Sequence, residues 1–322
     1  MKIVELERKS IGEDVDISRF KDLGNFEIYE TTSTDQFKDR AWDADIIIIN
    51  KFRINKDTIG DGFENLKLVC LTATGFDNVD VEYCRSRGIA VCNAKGYSTN
   101  SVIQHTFATF FYIYEKLHHY DEYVKSGEYA KSDIFCNTSE IFNELYGKVW
   151  GVVGLGEIGR GVAKVAEAFG CQVVYYSTSG KNSNNNFERV EFDELLKISD
   201  VISIHAPLND ATRGMFSRDQ FRAMKDSAYI INMGRGNIVN EADLADALNA
   251  GEIAGAALDV LSAEPIRTDN PLLTLKDSRK LLVTPHMAWG TYEARKRLMD
   301  EVYLNVKAFM DGSEKRNRVD LR

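Results

Sequence analysis

Between residues 149 and 170 the chain reads VWGVVGLGEIGRGVAKVAEAFG, an apolar strand-like run that enters three glycines and continues directly into a helical pattern. No other segment restricts the fold as much. A G-x-G-x-x-G turn by itself is a weak signal, but between a strand and a helix each glycine acquires a task. Gly154 allows the tight turn, Gly156 lets the backbone approach a pyrophosphate, and Gly159 lets the helix pack closely on the strand. The N–H groups at the helix start, around Glu157 and Ile158, then meet the negative charge of that pyrophosphate. The turn therefore predicts a dinucleotide-binding βαβ unit.

The rest of the chain has the rhythm such a unit needs. Apolar strands at 149–153, 172–177, 200–204, 228–232, 254–259 and 280–284 alternate with helix-length segments, which predicts a six-stranded doubly wound parallel sheet. The first hundred residues alternate in the same way, through KIVELE, NFEIYE, ADIIIIN, LKLVCLTATG and IAVCNA, and predict a second, smaller parallel sheet. From Ser101 to about Gly127, apolar and aromatic residues recur at helical spacing without a proline, so one long helix is expected there. Helical pattern returns after Gly290 and runs to about Met310; residues 183–186 read as a short polar loop. The expected fold is α/β with two doubly wound parallel-sheet domains. A dinucleotide-binding domain, 101–290, interrupts a discontinuous substrate domain made of 1–100 plus 291–322.

Composition narrows the partners. The 322 residues, 44% hydrophobic and 28% charged, suit two compact domains. Forty basic residues against forty-nine acidic ones leave a net charge of −9, which offers no broad attraction to nucleic acid or to an anionic membrane. The amino terminus, MKIVELERKS, alternates apolar and charged residues where a leader peptide has an apolar block. Five scattered cysteines (Cys70, Cys84, Cys92, Cys136, Cys171), with no C-x-x-C pair, form neither a disulfide framework nor a zinc site. A cytoplasmic protein with reduced thiols and no metal is the expectation.

The strand after the glycine turn usually ends in an acidic residue that binds the adenosine ribose. Here CQVVYYS ends at Ser177, followed by Thr178, Ser179, Gly180 and Lys181, and no carboxylate is available. This turn would not repel a 2′-phosphate and offers donors to one; NAD held by a weaker ribose contact is the equal alternative.

Three stretches at the ends of the later strands carry the polar residues that could do chemistry: INMGRG with Arg235, LDVLSAEP with Asp259 and Glu264, and VTPHMAWG with His286. This fold places its ligand crevice there. An arginine grips a planar carboxylate through two parallel hydrogen bonds. Histidine is the side chain best matched to proton transfer near neutral pH, and a neighbouring carboxylate holds its ring. Together they make a reaction centre for a 2-keto or 2-hydroxy acid. Singly, Arg235 reads as a surface residue, Glu264 as a solvated loop acid and His286 as a helix cap. His118 and His119 belong with ordinary structural histidines. His205 stands between the two classes, because it ends the strand VISIH beside Ala206 and Pro207, where a dinucleotide would pass.

In order along the chain, TATGFDNVD (72–80), GYSTNSVIQHTFA (96–108), GLGEIG (154–159), HAPLND (205–210), INMGRG (231–236), ALDV (257–260), AEP (263–265) and TPHMAW (284–289) resemble the D-isomer-specific 2-hydroxyacid dehydrogenases. GYST…QHTFA with TPHMAWG is most similar to the glycerate dehydrogenase, or hydroxypyruvate reductase, branch. The resemblance implies a Rossmann-type NAD(P)-binding domain inserted into a flavodoxin-like substrate domain, a homodimer formed through the helix after residue 100, and catalysis in the cleft between domains. It implies that Arg235 binds the substrate carboxylate and keto oxygen, that His286 is the acid/base and that Glu264 orients it. Thr74 and Gly75 would grip the carboxylate through their backbone, where glycine permits close approach. Asp259 would bind the nicotinamide carboxamide, and Thr106, Pro207, Met233 and Gly234 would line the cofactor, NAD or NADP. Two departures stand out: Ser177 replaces the usual aspartate, and Met233 with Gly234 stand where the family more often has Thr-Ala. Glu264 argues against the formate dehydrogenases, which pair the histidine with glutamine. Because the family includes transcriptional corepressors, a dinucleotide-sensing binding protein is the rival reading.

Overall fold

A computed structural model describes residues 1–60, 62–181, 186–312 and 316–321. The chain divides into two compact units, Met1–Ser98 with Gly290–Arg322, and Thr99–Trp289.

The first unit opens with strands β1 (Lys2–Glu5), β2 (Asn25–Ile28), β3 (Ile46–Ile49), β4 (Leu68–Leu71) and β5 (Ala90–Cys92) and helices α1 (Thr34–Ala41), α2 (Lys56–Ile59) and α3 (Val81–Ser86). All strands are parallel, in the order β2-β1-β3-β4-β5 that characterises flavodoxin-like sheets. The four isoleucines of β3 and the four apolar residues of β4 are fully buried. A strand covered by helices on both faces must be apolar throughout, which is why these segments read as continuous runs. Local chemistry sets the helix starts: Ser33 and Gln36 form a capping box on α1, and Asp80 accepts the Tyr83 N–H at 2.9 Å on α3.

In the second unit, α4 (Thr99–Tyr114) and α5 (Leu117–Lys125) precede β6 (Val149–Val153), α6 (Glu157–Ala168), β7 (Gln172–Tyr176), β8 (Glu188–Arg189), α7 (Phe192–Ile198) and β9 (Val201–Ile204). Then come α8 (Arg218–Ala223), β10 (Tyr229–Asn232), α9 (Glu241–Ala250), β11 (Gly255–Leu258) and β12 (Leu281–Val283). The sheet is parallel, in the order β12-β11-β10-β9-β6-β7-β8. Two buried clusters cover its faces: Val153, Ile202, Ile204 and Ile230 lie in one, Trp150, Val152, Tyr229 and Ile231 in the other. At roughly 1.5–3 kcal/mol for each fully buried aliphatic side chain, this packing fixes the strand ends that carry the site.

The structure corrects two expectations here. Among the described residues the sheet has seven strands, because β8 adds to the edge through Val174↔Glu188 and Tyr175↔Arg189 pairing. A two-residue strand is too short to leave a periodic signal. The expected single helix after residue 100 is broken at Lys116, whose φ of 56° is left-handed. Its ammonium reaches the Tyr229 hydroxyl at 3.2 Å, a partner remote in sequence. Of the expected polar loop, residues 183–185 lie outside the described residues.

The chain returns to the first unit in α10 (Tyr292–Asp311), which starts at the Thr291 cap and ends at Gly312, φ 61°. From its buried face Asn305 donates to the Asn93 carbonyl at the end of β5.

Candidate active site

The register of the second sheet aligns Tyr176, Val153, Ile204, Asn232, Leu258 and Val283 in one row across neighbouring strands. The next residues in these six strands are Ser177, Gly154, His205, Met233, Asp259 and Thr284. Five of them are site residues named from the sequence, collected along the carboxyl edge of a parallel sheet.

The glycines explain how backbones converge there. Gly154 has φ 91°, and a Cβ on it would lie 2.9 Å from the Ala206 backbone; a Cβ on Gly234 would lie 2.8 Å from the Ala206 carbonyl oxygen. The Ala206 backbone is thus held between two glycines. A Cβ on Gly159 would overlap the Gly154 carbonyl, so this glycine sets the helix–turn packing. Gly156 differs: nothing lies within 4 Å of where its Cβ would be. It caps α6 at an open position, with Glu157 exposed and Ile158 half-buried behind it. Open space above amide groups at the N-terminus of a 12-residue helix fits a bound pyrophosphate.

His286 and Glu264 meet directly. His286 Nδ1 lies 2.7 Å from Glu264 Oε2, while Glu264 Oε1 accepts the Leu261 N–H at 3.1 Å. A carboxylate only accepts, so Nδ1 carries the proton and Nε2 is left as the working nitrogen. Both side chains remain part-exposed, 27% and 33%, as groups that must reach a substrate have to be. Asp259 shapes the loop from behind. Only 2% exposed, its carboxylate accepts the Thr284 hydroxyl at 2.6 Å and the Met287 and Ala288 N–H groups at 2.7 and 2.8 Å. Its carbonyl accepts the His286 N–H at 2.9 Å, and His286 itself is left-handed, φ 55°.

Arg235 follows β10 in a turn stapled by buried Asn232, which accepts the Gly234 N–H and donates to the Arg235 carbonyl, each at 3.0 Å. The half-buried guanidinium donates to the Gly234 carbonyl at 2.9 Å. A Cβ on Gly236 would overlap the Leu261 carbonyl, so the arginine turn lies against the loop that leads to Glu264. Glu241, in α9, accepts the Ser262 N–H and hydroxyl and the Asn270 amide, tethering that same loop. Asn232, Gly236 and Glu241 were not singled out from the sequence. A glycine on each side of Arg235 was a visible signal; Glu241, one acid among many, left none.

Several expected contacts have a different character. Ser177 is 3% exposed and its hydroxyl has no hydrogen-bond partner among the described residues. Its carbonyl accepts the Gly180 N–H in a tight turn, and Arg189 donates to the Gly180 carbonyl at 3.1 Å, adding a cation beside Lys181. His205 has both ring nitrogens sealed, with no hydrogen-bond partner among the described residues, and burial pushes it down to about 3, so it stays neutral and cannot serve as the acid. Pro207 is exposed, and Met233 is buried with 9% of its surface accessible. Thr106 is fully buried, and its hydroxyl donates to the Val102 carbonyl inside α4. In the first unit, Thr74 is exposed and Gly75 half-buried beyond the end of β4, with the Thr74 carbonyl accepting from Asn93 and its hydroxyl donating to Ala94.

Among the described residues, no helix is long and apolar enough to cross a membrane. Residues 107–288 match the family described as D-isomer specific 2-hydroxyacid dehydrogenase, NAD binding domain. A hydroxypyruvate reductase of Blautia hydrogenotrophica is 38% identical over 320 residues, covering 97% of this chain and 98% of that protein. A glycerate dehydrogenase of Methylorubrum extorquens is 35% identical, covering 97% and 96%. Among solved structures, D-lactate dehydrogenase from Aquifex aeolicus, complexed with NAD and lactic acid, aligns with a TM-score of 0.85 at 29% identity over 99% of each chain. An acyclic imino acid reductase in complex with NADPH and D-Arg aligns with 0.87 at 29% identity over 99% of this chain and 100% of that one. With an arginine turn, a paired histidine and glutamate, and a glycine cradle on one sheet edge, the chain belongs to the D-isomer-specific 2-hydroxyacid dehydrogenase family.

Proposed function

We propose that the protein catalyses reversible reduction of a small 2-keto acid of the hydroxypyruvate type to its D-2-hydroxy acid, with NADPH or NADH as the reductant. The observation that carries this reading is the 2.7 Å His286–Glu264 pair beside the Arg235 turn. Arg235 grips the substrate carboxylate and draws on the keto oxygen. His286 Nε2–H gives its proton to the keto oxygen as negative charge develops there, and the Glu264 carboxylate stabilises the charged ring and holds its orientation. The chemistry a reduced nicotinamide supplies when bound is the hydride that reaches C2. Gly154, Gly156 and Gly159 with Glu157 and Ile158 would hold the pyrophosphate, and Ser177, His205, Pro207, Met233, Gly234 and Asp259 would line the rest of the dinucleotide. One Asp259 oxygen, Oδ2, accepts only the Ala288 N–H among the described residues and keeps capacity for a carboxamide.

The test is turnover of hydroxypyruvate, glyoxylate, pyruvate and longer 2-keto acids with each cofactor. Reduction of none of them would favour the dinucleotide-sensing alternative, which nothing in the relatives named above supports.

Two further assignments accompany this reading. Phe135, Ile141 and Tyr146 are 89%, 84% and 80% exposed, with Val124, Ile134 and Phe142 also open to solvent. Apolar exposure of this density marks an interaction surface, and we assign its occupant as a second copy of the chain. Sedimentation should show a dimer that Ile141→Glu dissociates. The five free thiols, four of them buried, support a cytoplasmic location.

A further inference from the structure

His105, in α4, is used by nothing so far. Its Nε2 lies 3.0 Å from Thr284 Oγ1 and 3.5 Å from Asp259 Oδ1. Thr284 Oγ1 in turn lies 2.6 Å from the same Asp259 oxygen. A hydroxyl has one proton to give. Asp259 Oδ1 and Oδ2 already act as acceptors for the Met287 and Ala288 N–H groups, so the Thr284 proton goes to the carboxylate. The hydroxyl lone pair that faces His105 must then receive a proton, which makes His105 the Nε2–H tautomer. The result is a directed network centred on Asp259: His105 Nε2–H donates to Thr284 Oγ1, the Thr284 O–H donates to Asp259 Oδ1, and the same carboxylate accepts the Met287 and Ala288 N–H groups that follow His286.

The network ends where precision is needed. His286 has a left-handed backbone, φ 55°, which a non-glycine residue keeps only when its surroundings hold it. Those surroundings are Thr284, Met287, Ala288 and the Asp259 carbonyl, all of them in or beside this network. We propose that His105 is a positioning residue for the reaction: by donating to Thr284 it fixes the direction of the Thr284–Asp259 hydrogen bond and thereby the placement of the His286 ring. The inference rests on the reading of His286 as the proton donor.

The test compares His105→Leu, which deletes the donor, His105→Gln, whose amide nitrogen reaches the Nε2 position, and His105→Asn, whose amide stops short of it. Rates, cofactor dissociation constants by fluorescence titration and melting temperatures are measured for each. The Leu and Asn proteins should lose roughly ten- to hundredfold in kcat, the scale at which misplacement of a catalytic group is felt, with substrate KM and cofactor affinity unchanged. The Gln protein should recover most of that rate. His105→Leu and Thr284→Val should not be additive, because either one breaks the same network. A merely structural His105 would show loss of melting temperature with kcat intact in the folded fraction, or equal loss in the Gln and Asn proteins; either result overturns the proposal. Should the Leu protein fail to fold, the Gln and Asn pair decides alone. If His286→Ala retains full turnover, the underlying reading fails instead, and the two failures are thereby told apart.

Discussion

Glu264 Oε2 sits 2.7 Å from His286 Nδ1 while Glu264 Oε1 accepts the Leu261 N–H at 3.1 Å, so both carboxylate oxygens are engaged and the one facing the ring is fixed. That single contact assigns the two ring nitrogens their roles.

His286→Ala should lower kcat by roughly 10²- to 10⁴-fold, the usual worth of a positioned general acid, while cofactor affinity is retained. Glu264→Gln keeps a hydrogen bond to the ring but removes the charge that stabilises it once protonated, and should cost less than His286→Ala. Steady-state kinetics with a fluorescence measurement of cofactor binding check both. A Glu264→Gln protein with native kinetics would remove the carboxylate from the mechanism.

Arg235→Lys conserves charge but not geometry. A lysine cannot both bond the Gly234 carbonyl, as Arg235 does at 2.9 Å, and present a planar pair of donors. The expected loss in kcat/KM for 2-keto acids is about 10- to 100-fold, the worth of one or two charged hydrogen bonds. Equal kinetics for the lysine protein would mean that another residue anchors the acid.

The cofactor turn offers a separate measurement. With the Ser177 hydroxyl buried and Arg189 donating to the Gly180 carbonyl, no fixed negative charge among these residues opposes a 2′-phosphate. NADPH should be accepted measurably. Ser177→Asp should raise the NADH to NADPH ratio of kcat/KM by about tenfold, which needs only some 1.4 kcal/mol. Arg189→Ala should weaken NADPH binding more than NADH binding. If the native enzyme already rejects NADPH, this turn is not the discriminator.

Glu5 governs a pH dependence of stability. It closes β1 with no exposed surface and no hydrogen-bond partner for either oxygen among the described residues. Burial pushes its carboxyl from 4.5 up to about 8, the nearby Glu7 charge adds to the rise, and the Arg8 guanidinium offsets it only in part. The folded state therefore holds a proton that the unfolded state has released between those two values. Stability should fall as pH rises through that window and level off above it. Glu5→Gln removes the titration, so its melting temperature should depend less on pH and exceed that of the native protein at pH 8. Parallel melting-temperature profiles would show that Glu5 does not contribute.

Much of the architecture was legible in sequence because parallel strands covered on both faces announce themselves as apolar runs. Ile46–Ile49 and Val149–Val153 needed no partner to be recognised. The glycine turn was equally local, since its strand, its glycines and its helix follow one another within 22 residues of chain. Arg235, Glu264 and His286 stood out because each follows a strand whose end faces the ligand edge of this fold. That Glu264 and His286 touch, and with which atoms, only the tertiary structure decided. So did the role of Asp259, which the family resemblance assigned to the cofactor and which also receives the hydroxyl and the amides that hold the His286 loop. The helix break at Lys116, the edge strand β8 and the tether from Glu241 to Ser262 share the same origin. Periodicity and spacing record what neighbours along the chain do for one another. A side chain that answers to a carbonyl, hydroxyl or amide far away in sequence leaves no pattern until folding brings the two together.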